Sequence, residues 1–70
     1  MATKQEIIRL ILSEYPGRAR LNMTETARVT GKHPNRVRRY MQGYVSEKSG
    51  VQRFYFIPDI AERMWKGSTT

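Results

Sequence analysis

The sequence contains no cysteine among its 70 residues. A disulfide framework and a cysteine-ligated zinc site are therefore excluded, and the small core must hold without either. No apolar run approaches the roughly 18 residues that cross a bilayer. The first residues, Met-Ala-Thr-Lys-Gln-Glu, lack the pattern of a secretory signal. From these absences we expect a cytoplasmic protein with no membrane partner.

The residue sets that most catalysis requires are also missing. There is no Ser-His-Asp set, no pair of carboxylates near the basic segment and no glycine-rich phosphate loop. The single histidine, His33, has no cysteine nearby and cannot form a metal site by itself. We interpret His33 as a helix cap or a phosphate contact, and we expect no enzyme activity, no metal and no cofactor.

Acidic residues are scarce, and their distribution is uneven. The chain has 13 lysines and arginines against 6 acids, which gives a net charge of +7. Between residues 15 and 45 the only acid is Glu25, so nearly all the excess positive charge lies in that segment. Its cations are Arg18, Arg20, Arg28, Lys32, Arg36, Arg38 and Arg39. Basic clusters often lie on solvated faces, but they are also typical of nucleic-acid binding.

The length and composition predict one small globular domain over residues 1–70. With 39% hydrophobic and 27% charged residues, the chain falls in the globular range rather than the disordered one. A chain of this size buries only about 60% of its unfolded surface, so we expect marginal stability.

Residues 22–42 have the features of a helix-turn-helix. Asn22 and Glu25 have capping-box spacing, which predicts a helix from about Met23 to Thr30. Gly31 can adopt the conformation needed for a sharp turn. The steric skeleton that this motif requires, small then turn then two buried positions, is met by Ala27, Gly31, Val37 and Tyr40.

The second helix of this pair is predicted to run from Pro34 to about Gln42, with Gly43 as its left-handed stop. On a helical wheel, one face is apolar and comprises Val37, Tyr40 and Met41. The opposite face comprises Asn35, Arg39 and Gln42, with Arg36 and Arg38 flanking it. Amide and guanidinium groups suit base edges and phosphates in a DNA major groove, so we interpret this segment as a recognition helix.

Residues 44–57 change to strand-like character and predict a β-hairpin, with short strands at 44–45 and 52–57. A two-stranded hairpin must lean on the helices, and we expect Phe54 and Phe56 to face inward. Lys48 and Arg53 would then be exposed on this wing. Basic aromatic strands also occur in single-strand binders, but two strands are too few for their sheets.

Two further helices flank this central region. A capping-box pair, Thr3 and Glu6, begins a helix predicted over 3–15, whose apolar stripe suits core packing better than a membrane surface. Pro58 and Asp59 begin a last helix over 58–66, and residues 67–70 should form a frayed tail. Trp65 is interpreted as part of the core.

Residues 22–66 resemble the winged-helix DNA-binding domains of MerR-type regulators and of phage and transposon excisionases. The matching segments are Thr26-Ala-Arg-Val-Thr-Gly31, Pro34-Asn-Arg-Val-Arg-Arg-Tyr40, Gly50-Val-Gln-Arg-Phe-Tyr55 and Pro58-Asp-Ile-Ala-Glu-Arg-Met64. The resemblance implies a mainly α fold with a small β-hairpin, a winged helix-turn-helix, to which residues 3–15 add an extra N-terminal helix. MerR-type regulators continue into a dimerisation helix and an effector domain that this sequence lacks, so we expect no sensing of a metal or drug.

The resulting hypothesis is a sequence-specific double-stranded DNA-binding protein of a bacteriophage or mobile element, acting in a bacterial host. An excisionase-like role in DNA recombination is ranked first, with an integrase or recombinase as partner. Alternatives are a small transcriptional regulator that works with RNA polymerase, the DNA-binding fragment of a larger recombinase, and an adaptor or inhibitor that binds proteins. We expect a monomer or weak oligomer that binds DNA cooperatively.

The expected DNA contacts fall into three groups. Base edges would be contacted by Asn35, Arg39 and Gln42. Phosphates would be held by Arg28, Lys32, Arg36 and Arg38. The wing would add Lys48 and Arg53.

Overall fold

The computed structural model describes residues 3–68, which form four helices and three strands. In chain order these are α1 (Lys4–Glu14), β1 (Arg20–Asn22), α2 (Met23–Thr30), α3 (Pro34–Tyr40), β2 (Ser46–Ser49), β3 (Gln52–Phe56) and α4 (Ile57–Ser68). The strands make one antiparallel sheet in the order β1-β3-β2. Within residues 3–68, no helix combines the length and the apolar character needed to cross a membrane.

The sheet has one strand more than the sequence predicted. The sequence analysis assigned no strand between the first two helices, but Arg20–Asn22 pairs with β3, with Leu21 opposite Tyr55. A three-residue strand is too short to show an alternating pattern, so its pairing depends on the free edge that β3 offers. The prediction of a mainly α fold with a hairpin alone is corrected to a mixed fold of four helices and a three-stranded sheet.

The inward face of β3 is the opposite of the predicted one. Tyr55 is 2% exposed and lies in the core, whereas Phe54 and Phe56 are half-buried on the other face of the sheet. Three consecutive aromatic residues give no alternation, so the sequence pattern does not select a face. Tyr55 is the inward residue because its neighbour across the ladder, Leu21, is fully buried.

The two helices predicted between residues 22 and 42 both form. Both bonds of the α2 capping box are present: the Glu25 N–H donates to Asn22 Oδ1 (2.8 Å), and the Asn22 N–H donates to Glu25 Oε1 (3.0 Å). Gly31 ends α2 with φ +71°, a left-handed conformation that glycine adopts readily. Three residues, 31–33, connect α2 to α3. Pro34 is the first residue of α3, as predicted.

Several element bounds differ from the predicted ones. Helix α3 ends at Tyr40, so Gln42 lies in the turn that follows it. The first wing strand is Ser46–Ser49 rather than 44–45. Helix α4 continues through residues 67 and 68, which were predicted to be a frayed tail; residues 69 and 70 lie outside the described residues.

All four helices and the sheet contribute to one core. Its buried side chains are Ile7, Ile11, Leu21, Ala27, Val37, Met41, Tyr55, Ile57, Ile60 and Ala61. Helix α1, interpreted from the sequence as extra, therefore supplies core residues and packs against α4. Val37 and Met41 fix the orientation of α3, because their burial turns the opposite face of that helix toward solvent.

Candidate nucleic-acid interface

The outward face of α3 carries the polar side chains that the helical wheel predicted. Asn35, Arg36, Arg38 and Arg39 are all exposed, while Tyr40 on the inner side is half-buried. Gln42 is exposed as well, but it extends from the turn after the helix rather than from the helix itself. The segment is thus an amphipathic helix whose solvent face consists of guanidinium and amide groups.

His33 caps the start of α3 and contacts one of the predicted base-contacting residues. Its Nδ1 accepts from the Asn35 backbone N–H (3.4 Å) and lies 2.8 Å from Asn35 Oδ1. The cap interpretation of His33 is confirmed. A single Nδ1 cannot accept from the backbone N–H and donate to Oδ1 in the same tautomer, so the cap and a hydrogen bond to the Asn35 carboxamide exclude each other.

Carboxylates neutralise cations elsewhere on the molecule. Arg18 makes two hydrogen bonds to Glu25 (2.9 and 3.0 Å), and Arg20 pairs with Glu47 across the sheet. On α4, Glu62 lies 3.6 Å from Lys4 Nζ. Among residues 3–68, no carboxylate forms an ion pair with the cations of the α3 region, Lys32, Arg36, Arg38 and Arg39.

The Glu25 carboxylate is held in its ionised form. Partial burial works to raise the pKa of Glu25, but the hydrogen bonds from Arg18 and from the Asn22 backbone oppose it, together with the charges of Arg18 and Arg28. Their sum lowers the pKa below its ordinary value of 4.5. Glu25 therefore serves the structure: it completes the α2 cap and removes the charge of Arg18 from the basic surface.

One groove separates α3 from the wing. It has a volume of about 500 Å³, and the polar and charged side chains that line it are Arg38, Arg39, Gln42, Tyr44, Ser46 and Arg53. Arg53 was expected to be exposed but is half-buried, and its Nη1 donates to Ser46 Oγ (2.7 Å). Both residues line the groove beside α3. Lys48, opposite Arg53 in the hairpin, is exposed as predicted.

A second groove lies on the other side of α3, against α4. Its volume is about 480 Å³, and it is lined by Lys32, Asn35, Arg36, Arg39, Tyr40 and Arg63. Arg63 Cζ lies 4.2 Å and Lys32 Nζ 5.1 Å from the centroid of the Tyr40 ring. Arg63 Nε also donates to the Tyr40 carbonyl (3.0 Å). Arg39 is shared by the two grooves, so it occupies the crest of α3 between them.

The three predicted groups of contacts are therefore brought together only in part. The structure groups the α3 cations with Lys32 and Arg53, but Arg28 lines a different, largely apolar groove beside Leu10, Glu14 and Met64. Arg63 was missed by the sequence analysis. No local signal could have found it, because its partner Tyr40 lies 23 residues away in the chain.

Comparison of this chain with family models, with curated proteins and with solved structures found no match. A function for this protein is therefore inferred from the geometry and charge of the site alone.

Proposed function

We propose that this protein binds double-stranded DNA sequence-specifically, with α3 in the major groove. The observation that carries the proposal is the set of three exposed arginines on one short helix, Arg36, Arg38 and Arg39, none of which forms an ion pair with a carboxylate of residues 3–68. Protein surfaces usually intersperse charges of both signs, so an unneutralised basic helix face suits a polyanion.

The arrangement of the elements supports the same proposal. Helices α2 and α3, joined by a tight turn at Gly31, correspond to a helix-turn-helix, in which the second helix enters the major groove. The β2–β3 hairpin lies beside α3, where a wing would reach the DNA backbone. Together with β1, which pairs with β3, these elements make up the winged helix-turn-helix that we propose.

The side chains divide into roles by their position on α3. Arg39, on the crest, is the main candidate for base edges, because guanidinium binds guanine by two parallel hydrogen bonds. Asn35 and Gln42 are the other base-contacting candidates. Arg36, Arg38 and Lys32 flank the crest and would hold phosphates, as would Lys48 and Arg53 from the wing.

A binding titration at several salt concentrations tests the proposal. If about five phosphates are neutralised, the logarithm of the association constant should fall against the logarithm of salt concentration with a slope near −4 or −5. The matched variants are Arg39→Ala and Arg9→Ala, since Arg9 is an exposed arginine on α1 outside both grooves. Equal losses in both variants, or salt-independent binding, would contradict the proposal.

A protein-binding adaptor or inhibitor is the second candidate. The exposed leucines of α1 favour it: Leu10 is 68% exposed and Leu12 is 37% exposed. Against it, the core buries Ile7 and Ile11 of the first helix and Ile60 of the last helix. Most of the apolar surface of these two helices is therefore already covered. An adaptor would show no salt-steep DNA binding in the titration described above.

The biological output that we propose first is excisionase-like, with the protein organising DNA for a recombinase of a phage or mobile element. The alternative is control of a promoter. Footprinting on the DNA that flanks the gene separates the two: tandem sites beside an integrase attachment site support excision, and a single promoter site supports transcriptional regulation.

A further inference from the structure

The groove between α3 and α4 contains Lys32 and Arg36, which are proposed above to hold phosphates, and Arg63, which has no role so far. It collects cations from three parts of the chain: Lys32 before α3, Arg36 and Arg39 on α3, and Arg63 on α4. We propose that this groove is a phosphate-binding site for one DNA strand, and that the groove on the wing side binds the other strand. The inference rests on the proposed function and adds Arg63 and α4 to the interface.

The dimensions of DNA support this division. The major groove is about 12 Å wide, and a helix with its side chains is about 10–12 Å across. A helix in the groove is therefore flanked on both sides by sugar–phosphate ridges that belong to different strands. In this protein α3 is itself flanked by two cationic grooves, and Arg39 on the crest lines both of them.

Two arginines of α3 are assigned to opposite sides by the structure. Arg38 lines only the groove on the wing side, together with Arg53, whereas Arg36 lines only the groove on the α4 side, together with Lys32 and Arg63. Side chains two residues apart on a helix are related by a rotation of about 200°, which places Arg36 and Arg38 on opposite sides of α3. Arg36 and Arg38 should thus contact phosphates of different strands.

Arg63 is oriented to serve this site. Its Nε donates to the Tyr40 carbonyl (3.0 Å), and its guanidinium lies over the Tyr40 ring, so the side chain is fixed at two points. The guanidinium has five N–H donors, and only one is used by that carbonyl. A fixed guanidinium with spare donors, in the same groove as Lys32, suits a phosphate oxygen.

The test uses the full chain and a duplex that carries the site selected by the wild-type protein from random DNA. Each phosphate of each strand is replaced in turn by an uncharged methylphosphonate, and binding is measured for wild type, Arg36→Gln and Arg38→Gln. A variant that has lost a phosphate contact should no longer respond to replacement of that phosphate. We expect the insensitive positions for Arg36→Gln and Arg38→Gln to lie on opposite strands.

Arg63→Gln extends the test to α4, and Lys32→Gln extends it to the residue before α3 that lines the same groove. Both should become insensitive to replacements on the same strand as Arg36→Gln, and each should reduce the salt slope by about 0.9. Lys32→Gln guards against a folding artefact, because the Lys32 side chain lies over the Tyr40 ring but, unlike Arg63, makes no hydrogen bond to the α3 backbone. Arg63→Lys keeps the charge and should keep the slope.

The possible results separate this inference from the proposed function. Salt-steep binding with both sets of insensitive positions on one strand would overturn the two-strand assignment and leave DNA binding standing. A methylphosphonate pattern in Arg63→Gln that is unchanged from wild type would give α4 a purely structural role, and the same result in Lys32→Gln would remove Lys32 from the proposed site. Failure of the wild-type protein to bind DNA would overturn the proposed function, and this inference with it.

Discussion

The α3 region and the α1–α4 region both carry lysines and arginines on their surfaces, but they differ in where the carboxylates lie. On α4, Glu62 contacts Lys4 of α1 at 3.6 Å and Lys66 at 4.0 Å. On α3, the arginines meet no carboxylate of residues 3–68 in an ion pair. The sign of each surface is thus decided by the placement of the six acids at least as much as by the cations.

The sheet shows the same contrast on a smaller scale. Arg20 pairs with Glu47 and its guanidinium lies 4.5 Å from the centroid of the Phe54 ring, so its charge is balanced and its stem is packed. Arg53, on the opposite face of the sheet, donates to the neutral Ser46 and forms no ion pair with a carboxylate of residues 3–68. The count of basic residues therefore overstates the positive charge that is available to a partner. Substitutions in the core, on α3 and at Glu25 test these contrasts, and those with the larger effects are given first.

The largest expected effect on stability comes from removing a side chain of the core that both regions share. Tyr55→Ala deletes a side chain that is 2% exposed, and we expect it to lower the free energy of unfolding by about 3–5 kcal/mol. The matched variant Phe54→Ala removes a half-buried ring on the other face and should cost less than half as much. Urea denaturation measures both; a larger cost for Phe54→Ala would contradict the observed face of β3.

The α3 region should lose sequence discrimination when its crest is changed. Arg39→Ala removes the main base-contacting candidate, and we expect the preference for the selected site over random DNA to fall by about 1–3 kcal/mol, or about 5- to 150-fold. Competition binding with both DNAs measures this loss. Arg9→Ala, on the other region, should leave the preference unchanged.

Arg38 tests whether charge on the flank of α3 acts without regard to sequence. Arg38→Ala should weaken binding to all sequences about equally and reduce the salt slope by about 0.9. Titrations against the selected site and random DNA at three salt concentrations measure both effects. If the loss is confined to the selected site, α3 is rotated relative to the proposed orientation.

Glu25 tests the paired region. Glu25→Gln removes the charge that binds Arg18, and we expect the free energy of unfolding at pH 7 to fall by about 1 kcal/mol. Because folding lowers the pKa of Glu25, its contribution is present above the ordinary value of 4.5 and is lost as the pH falls through the lowered value.

Thermal unfolding of wild type and Glu25→Gln from pH 7 to pH 3 measures that loss. The difference between the two proteins should shrink as the pH falls below 4.5. Glu14→Gln is the control, since Glu14 is exposed on α1 and forms no ion pair within residues 3–68. A difference that grows toward low pH would contradict the lowered pKa.

Local patterns predicted the helical part of the fold well. The Asn22–Glu25 capping box and Gly31 define α2 at both ends, and Pro34 begins α3, because these signals act within a few residues of the chain. The solvent face of α3 was also predicted, since Val37 and Met41 required burial on the other side. The DNA contacts assigned to that face remain predictions.

The sheet was predicted poorly for the same reason. Strand β1 has no pattern of its own, and β3 has aromatic residues on both faces, so pairing and facing depend on residues distant in the sequence. Within the candidate site, the bond between Arg53 and Ser46 follows from hairpin register, and the contact between Arg63 and Tyr40 depends on where α4, which packs on α1, passes the end of α3.

The amino-acid sequence by itself determined the helix ends, the amphipathic character of α3 and the concentration of basic residues in the middle of the chain. These properties arise from caps, turns and residue spacing, which operate over one or two helical turns. The pairing of cations with carboxylates, the buried face of β3 and the position of Arg63 beside α3 were decided by the tertiary structure alone. Those outcomes depend on ion pairs and packing between segments that are far apart in the chain, and no local pattern encodes them.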